Sequence, residues 1–183
     1  MTAPSIKRSD VNRIMRESDK FIRSFGYIMP PFAYWSPSEF RARKGEAQAI
    51  ITHNLGWDIT DYGLGDFSGT GLFLFTVRNG NNADLSKGRG MLYAEKAMIS
   101  RKDQYSPMHR HNLKAEDIIN RGGGTLVIEL FGDTDGKCDR TAGGPQAQAR
   151  AGGERHADAQ RALARVLGRG RRCVRRRGLN RQR

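Results

Sequence analysis

Between Ser9 and Phe25 apolar side chains recur at helical spacing. Val11, Ile14, Met15, Phe21 and Ile22 are separated by charged residues, which predicts an amphipathic helix. Ser9 or Asp10 stands where a cap is expected, and Gly26 stands where such a helix ends. The stretch IMPPFAYWSPSEF breaks the pattern with paired prolines. Ser36-Pro37-Ser38-Glu39 then supplies a cap, a proline in the first turn and an acid near a helix N-terminus. From Gly56 onward the period shortens. The runs 71–77, 92–100 and 125–131 read as strands, the first followed by the turn Arg78-Asn79-Gly80-Asn81 and the last entered through Gly122–Gly124. Short strands between turn residues predict a mainly β antiparallel barrel or jelly roll, with N-terminal helices packed beside it.

After about Lys137 this pattern stops. The segment 138–183 has no aromatic residue and no apolar alternation, and only Ala157–Leu167 reads as a short helix. Two units follow: an incomplete barrel over 1–137, and an Arg/Ala/Gly-rich tail over 138–183 that is disordered or partly helical. Composition matters chiefly through this boundary. The formal net charge of +13 would suggest a nucleic-acid or membrane-surface partner. However, residues 1–138 hold 19 Lys+Arg against 16 Asp+Glu, whereas residues 139–183 hold 13 Arg against three acids. The basic character belongs to the tail, and the tail lacks the interleaved aromatics that stack on bases. An arginine-rich nucleic-acid binder therefore stands as the alternative reading, not the principal one. No apolar run approaches the roughly 18–20 residues that span a bilayer, and the N-terminus lacks a secretory apolar core; a cytoplasmic location is expected. Cys138 and Cys173 form no metal-type pair and read as two unpaired thiols.

The candidate chemistry centres on PMHRHNLKAEDIINRGGG. His109 and His111 alternate across one residue, so on a strand both imidazoles share a face. Glu116 follows after four residues, close enough for a turn to bring its carboxylate alongside. Two imidazole nitrogens and one carboxylate oxygen suit Mn, Fe, Co, Ni or Zn; the plain alternative is two surface histidines beside a helix-capping acid.

The spacing His109-x-His111-x4-Glu116-x6-Gly123 resembles the first motif of the cupins, with Asp103 where that motif carries a leading glycine. FAYWSP (32–37), NLGWDITDYGLGDF (54–67), FTVRNG (75–80), YAEKAMI (93–99), PMHRH and EDIINRGGG (116–124) resemble the D-lyxose isomerase family in order and spacing, over essentially all of residues 6–137. The resemblance implies a cupin jelly-roll barrel and a divalent metal, with manganese the first choice, held by His109, His111 and Glu116. It implies interconversion of D-lyxose with D-xylulose, or D-mannose with D-fructose, through a cis-enediolate, and a homodimer for the intact family enzyme. By resemblance Lys96 is the candidate for proton transfer or substrate contact, and Trp35 a candidate lining residue of the sugar site; a solvated strand lysine and a core tryptophan are the plain alternatives. Asp58, Asp61, Arg78 and Asn79 read as turn organisers. Another metal-binding cupin, a phosphosugar isomerase or an oxygenase, is the competing reading within the same fold.

A cupin takes a fourth ligand from a later P-x-G-x-x-H strand. His156, in ERHADAQ, is a poor substitute, with no strand, proline or glycine context. Back-translated and read one nucleotide later, the codons of Ala159–Leu167 permit P-x-G-L-W-H-x-F-W, and those of Val166–Arg183 permit FWAEGGDVFVGEVSTVN. The first is the missing motif, and the glutamate of GEVS resembles a family acid/base. Residues after about Lys137–Arg140 thus read as translated out of frame. On that reading the 183-residue chain lacks its late barrel strands and has little or no isomerase activity.

Overall fold

The computed structural model describes residues 6–110, 117–134, 137–143, 147–149, 161–167 and 173–179. Helix α1 (Arg8–Ser24) buries Ile14, Ser18 and Ile22, a stripe repeating every four residues. Its N-cap is Lys7, whose side chain makes no capping bond, so Ser9 and Asp10 lie inside the first turn instead of capping it. Gly26, at φ +70°, ends the helix, donating its N–H to Arg23 O at 2.9 Å. A 3-10 turn (Pro31–Tyr34) follows, then α2 (Pro37–Ala42) and α3 (Lys44–Thr52). The predicted cap of α2 is a full capping box: Ser36 Oγ accepts from Glu39 N at 3.2 Å, and the Glu39 carboxylate accepts from Ser36 N at 2.8 Å.

The strands are β1 (Gly56–Thr60), β2 (Leu72–Arg78), β3 (Glu95–Arg101), β4 (Tyr105–Arg110), β5 (Asp117–Gly122), β6 (Thr125–Thr134), β7 (Lys137–Gly143), β8 (Ala147–Ala149), β9 (Arg161–Leu167) and β10 (Cys173–Leu179), with a one-turn helix α4 (Asn82–Leu85) between β2 and β3. One sheet runs β1-β2-β3-β9-β5; the other runs β4-β10-β6-β7, with β8 also on β6. All ladders are antiparallel.

Two expectations are corrected here. The closed cupin jelly-roll barrel is not what forms: among the described residues neither sheet closes, and β1 and β5 remain edge strands of the first. With helices covering one sheet face, the result is a mixed α/β fold. Each apolar face finds cover without a closing ladder, from helices on one side and the facing sheet on the other. The C-terminal strands are also not missing, and the tail is not wholly disordered or helical. Arg161–Leu167 lies between β3 and β5, and Cys173–Leu179 between β4 and β6. Backbone pairing asks only for free N–H and C=O groups, so two vacant strand edges can recruit a segment with no apolar alternation.

Alternation within the first sheet sorts its side chains into two layers. Phe73, Phe75, Ala97 and Ile99, with Trp57 and Ile59, face the helices and pack with Ile14, Ile22, Met29 and Phe67. Phe75 is fully buried, stacked on Phe32 with centroids 5.5 Å apart and meeting Trp57 edge-on at 4.7 Å. Full burial of each such side chain contributes about 1.5–3 kcal/mol. On the opposite face Leu72, Leu74, Met98 and Ile118 meet Leu126 and Ile128 of the second sheet.

Candidate functional site

Lys96 lies on the inner, sheet-facing side of the first sheet. It pairs with Thr76 on β2, and alternation along β3 puts it with Met98 rather than with Ala97 and Ile99. Its row continues through Val166 to Ile118 near the start of β5. In the second sheet His109 pairs with Val174, which pairs with Leu130, two positions along β6 from Ile128. His109 is therefore placed on that sheet's inner face. The short turn 102–104 joins β3 to β4, and Lys96 near the start of β3 and His109 near the end of β4 both lie away from it. The structure thus sets Lys96 and His109 on facing inner sides at the same end of the two sheets.

His109 is partly buried, and its Nδ1 lies 2.8 Å from the carbonyl oxygen of Pro107. A carbonyl can only accept, so Nδ1 carries the proton, and the neutral ring then has its lone pair on Nε2. That is the ring form that binds a metal ion, oriented by a bond from its other nitrogen. His109 therefore fits the ligand role. His111 and Glu116, as well as His156, lie outside the described residues. Among the described residues no group of three His, Cys, Asp or Glu side chains could hold a metal ion.

Trp35 is placed elsewhere. It sits in the helical layer, edge-on to Phe32 and Phe40 at 6.5 and 6.3 Å, with the Arg43 guanidinium 4.9 Å from its ring centre. Phe32 packs on Phe75, so this cluster covers the face of the first sheet away from Lys96. The structure does not bring Trp35 to Lys96 and His109.

Of the four residues read as turn organisers, Asp61 bonds its own turn, Asn79 and Arg78 bond residues distant in the chain, and Asp58 stands on a strand. The Asp61 carboxylate accepts from Gly63 N and Gly65 N, both at 2.9 Å. Asn79 Nδ2 donates to His53 O at 2.9 Å. Arg78 donates to the Tyr93 hydroxyl at 3.0 Å, and this bond, with the charges of Tyr93 and Glu95, holds its guanidinium further in the charged form. Asp58 is exposed on β1, opposite Leu74. Asp103 has φ +57°, a left-handed conformation that glycine adopts readily and Asp tolerates.

Sequence reasoning missed two residues beside the site. Thr76 is buried across the ladder from Lys96, a place given by the alternation of LFLFTVR. Pro107 lies within β4, and a proline inside a strand was the available signal.

Near the end away from Lys96, Tyr62 (φ +57°) reaches from the loop after β1 to donate its hydroxyl to Ser106 Oγ at 3.1 Å. Gly71 N and Tyr105 O, and Tyr105 N and Gly69 O, bind the same loop to β4 at 3.2 and 3.0 Å.

The architecture is similar to a solved one, the L-ribose isomerase of Acinetobacter sp. DL28 in complex with L-ribose. The TM-score is 0.52 at 13% identity, covering 96% of this chain and 82% of that one, a likeness of fold alone. In sequence, the chain is 44% identical over 126 residues to the D-lyxose/D-mannose isomerase of Serratia proteamaculans, and 42% identical over 129 residues to that of Escherichia coli O157:H7. These matches cover 68% and 69% of this chain but 54% and 55% of the relatives, so the chain spans about half the length of the curated relatives it matches. The family model described as D-lyxose isomerase matches residues 6–163, a span that contains Trp35, Thr76, Lys96, Pro107 and His109. With most of its length inside that match, the chain belongs to the D-lyxose isomerase family.

Proposed function

We propose that the inner-face end bearing Lys96 and His109 is the catalytic end of an aldose–ketose isomerase. Its substrates are D-lyxose and D-xylulose, and also D-mannose and D-fructose. The observation that carries this reading is the placement of a lysine and an oriented, metal-competent imidazole on facing sheets at one end. His109, His111 and Glu116 would hold a divalent cation, Mn2+ as first choice; when bound, it supplies Lewis-acid stabilisation of negative charge on the sugar oxygens. Lys96 holds a sugar oxygen or carries the proton between C1 and C2 as the cis-enediolate forms and collapses. Thr76, buried beside it, limits where the lysine stem can go.

The tail bears on how well the chain performs this. We propose that residues after about Lys137–Arg140 are read out of frame, so that the 183-residue chain turns over poorly. The two relatives' matches, 126 and 129 residues long, are close in length to the segment ahead of that point, whereas the family model runs past it to residue 163.

One experiment separates these statements. The chain and a version with the reading frame restored after Arg140 are stripped of metal and incubated with Mn2+ in D2O. D-lyxose, D-mannose and fructose 6-phosphate are supplied separately, and aldose–ketose conversion in either direction is followed by NMR, with deuterium read at C1 of the ketose and C2 of the aldose. The restored protein is expected to convert lyxose and mannose, and the 183-residue chain to convert them weakly. No conversion by either would remove the isomerase reading, and turnover of fructose 6-phosphate alone would replace it with a phosphosugar enzyme. Equal turnover by both would remove the impairment, and a clean gene sequence together with a tail peptide by mass spectrometry would remove a sequencing error as the origin of the tail.

A further inference from the structure

β4 pairs with β10 in two registers. Tyr105 and Ser106 oppose Arg177 and Arg176, whereas His109 and Arg110 oppose Val174 and Cys173. Between them Pro107 and Met108 stand opposite the single residue Arg175, which is a β-bulge of two residues against one. Its consequence for orientation is direct. Ser106 shares a row with Arg176 and Ile128, and Ile128 packs in the core between the sheets. In a regular strand Ser106 and Met108 would share that inner face and His109 would point away. The extra residue shifts the alternation, so Ser106 and His109 occupy rows of the same face.

We propose that Pro107 is a positioning residue that aims His109 into the site by two separate means. It has no N–H, so the position where the ladder is interrupted leaves no donor unpaired. Its carbonyl, freed from a regular ladder position, accepts the His109 Nδ1 proton at 2.8 Å and so fixes both the ring plane and the tautomer. Aim and tautomer thus come from one residue two positions upstream. Alanine at this position keeps the carbonyl but restores a donor, which favours the regular register and the outward-facing imidazole.

This inference rests on the metal-site reading above, and its test is chosen so that the two can fail independently. The four histidines of the metal-free full chain are labelled with 15N, and the His109 signals are assigned by their loss in His109→Asn. Long-range proton–nitrogen spectra then report which ring nitrogen is protonated. The wild type is expected to show His109 as the Nδ1–H tautomer, with no metal or substrate present. Pro107→Ala is expected to lose that signature and to bind Mn2+ at least about tenfold more weakly. Its urea midpoint, read in parallel, separates lost aim from lost folding. An Nε2–H tautomer in the wild type would overturn the proposal whether or not the variant folds. A Pro107→Ala protein that keeps both the Nδ1–H signature and wild-type Mn2+ affinity would overturn it as well. A wild type with the expected tautomer but no Mn2+ binding would leave the aiming intact and remove the metal reading instead.

Discussion

On its helix-covered side the first sheet presents Phe73, Phe75 and Ile99 to a thick aromatic and aliphatic layer that includes Trp57 and Phe32. On its other side it presents Leu74 and Met98 to Leu126 and Ile128 of the second sheet, and at one end of that layer stand Thr76 and Lys96. The same strands therefore do two jobs, separated by the period-two alternation of their side chains. Where a strand spends its alternate positions on aromatic packing, it can afford a lysine on the other face. The outer layer should set stability, and the inner end should set chemistry.

The sharpest way to break this division is Lys96→Met in the frame-restored protein. If Lys96 moves the proton, kcat for lyxose falls by about 10²–10⁴-fold with the unfolding midpoint little changed; an unchanged kcat would return Lys96 to a solvated strand lysine. Phe75→Ala should do the reverse, destabilising by about 3–5 kcal/mol in urea unfolding while the folded fraction keeps its Mn2+ affinity. His109→Ala should weaken Mn2+ binding by roughly tenfold or more in titration calorimetry, with little loss of stability. At the small end, Ser36→Ala removes half of the capping box and should cost about 1 kcal/mol, with no effect on metal binding. The pH dependence is smaller still. The Glu39 carboxyl is held below its ordinary value of 4.5 by the Ser36 backbone N–H and then by the Ser36 side chain. Its contribution is present above the unfolded value and fades as pH falls through the folded one, so Glu39→Gln should flatten the acid limb of the melting-temperature profile.

Much of the helical layer and the central strands is legible in the sequence, because there the local signals and the tertiary demand agree. The Ser36–Glu39 box forms as read, and the apolar run at 71–77 becomes β2 shifted by one residue. The start of α1 was misread because a serine and an aspartate near a helix start look like caps, whereas the chain enters through extended Lys7 and needs neither. β9 and β10 were illegible for a different reason. Their residues carry no strand pattern, and what makes them strands is the pair of edges waiting on either side. The candidate site is legible in the sequence as a spacing that includes His109, but the row that His109 occupies depends on a register shift that the sequence signals only through a proline in a strand. Trp35 shows the limit of residue type as a guide: an aromatic near a sugar-isomerase motif was bound by its neighbours Phe32 and Phe40 to the far side of the sheet.

The Tyr62–Ser106 bond has a mechanical consequence. It does not stand alone at its end of the molecule: the 69–71 backbone clasps Tyr105, and buried Gln104 bonds both Arg101 N and Phe67 O. Among the described residues, these fastenings between the β1–β2 loop and the β3–β4 turn gather where Lys96 and His109 are not. Slippage of one layer over the other is thereby opposed at that margin, by bonds that involve neither Lys96 nor His109.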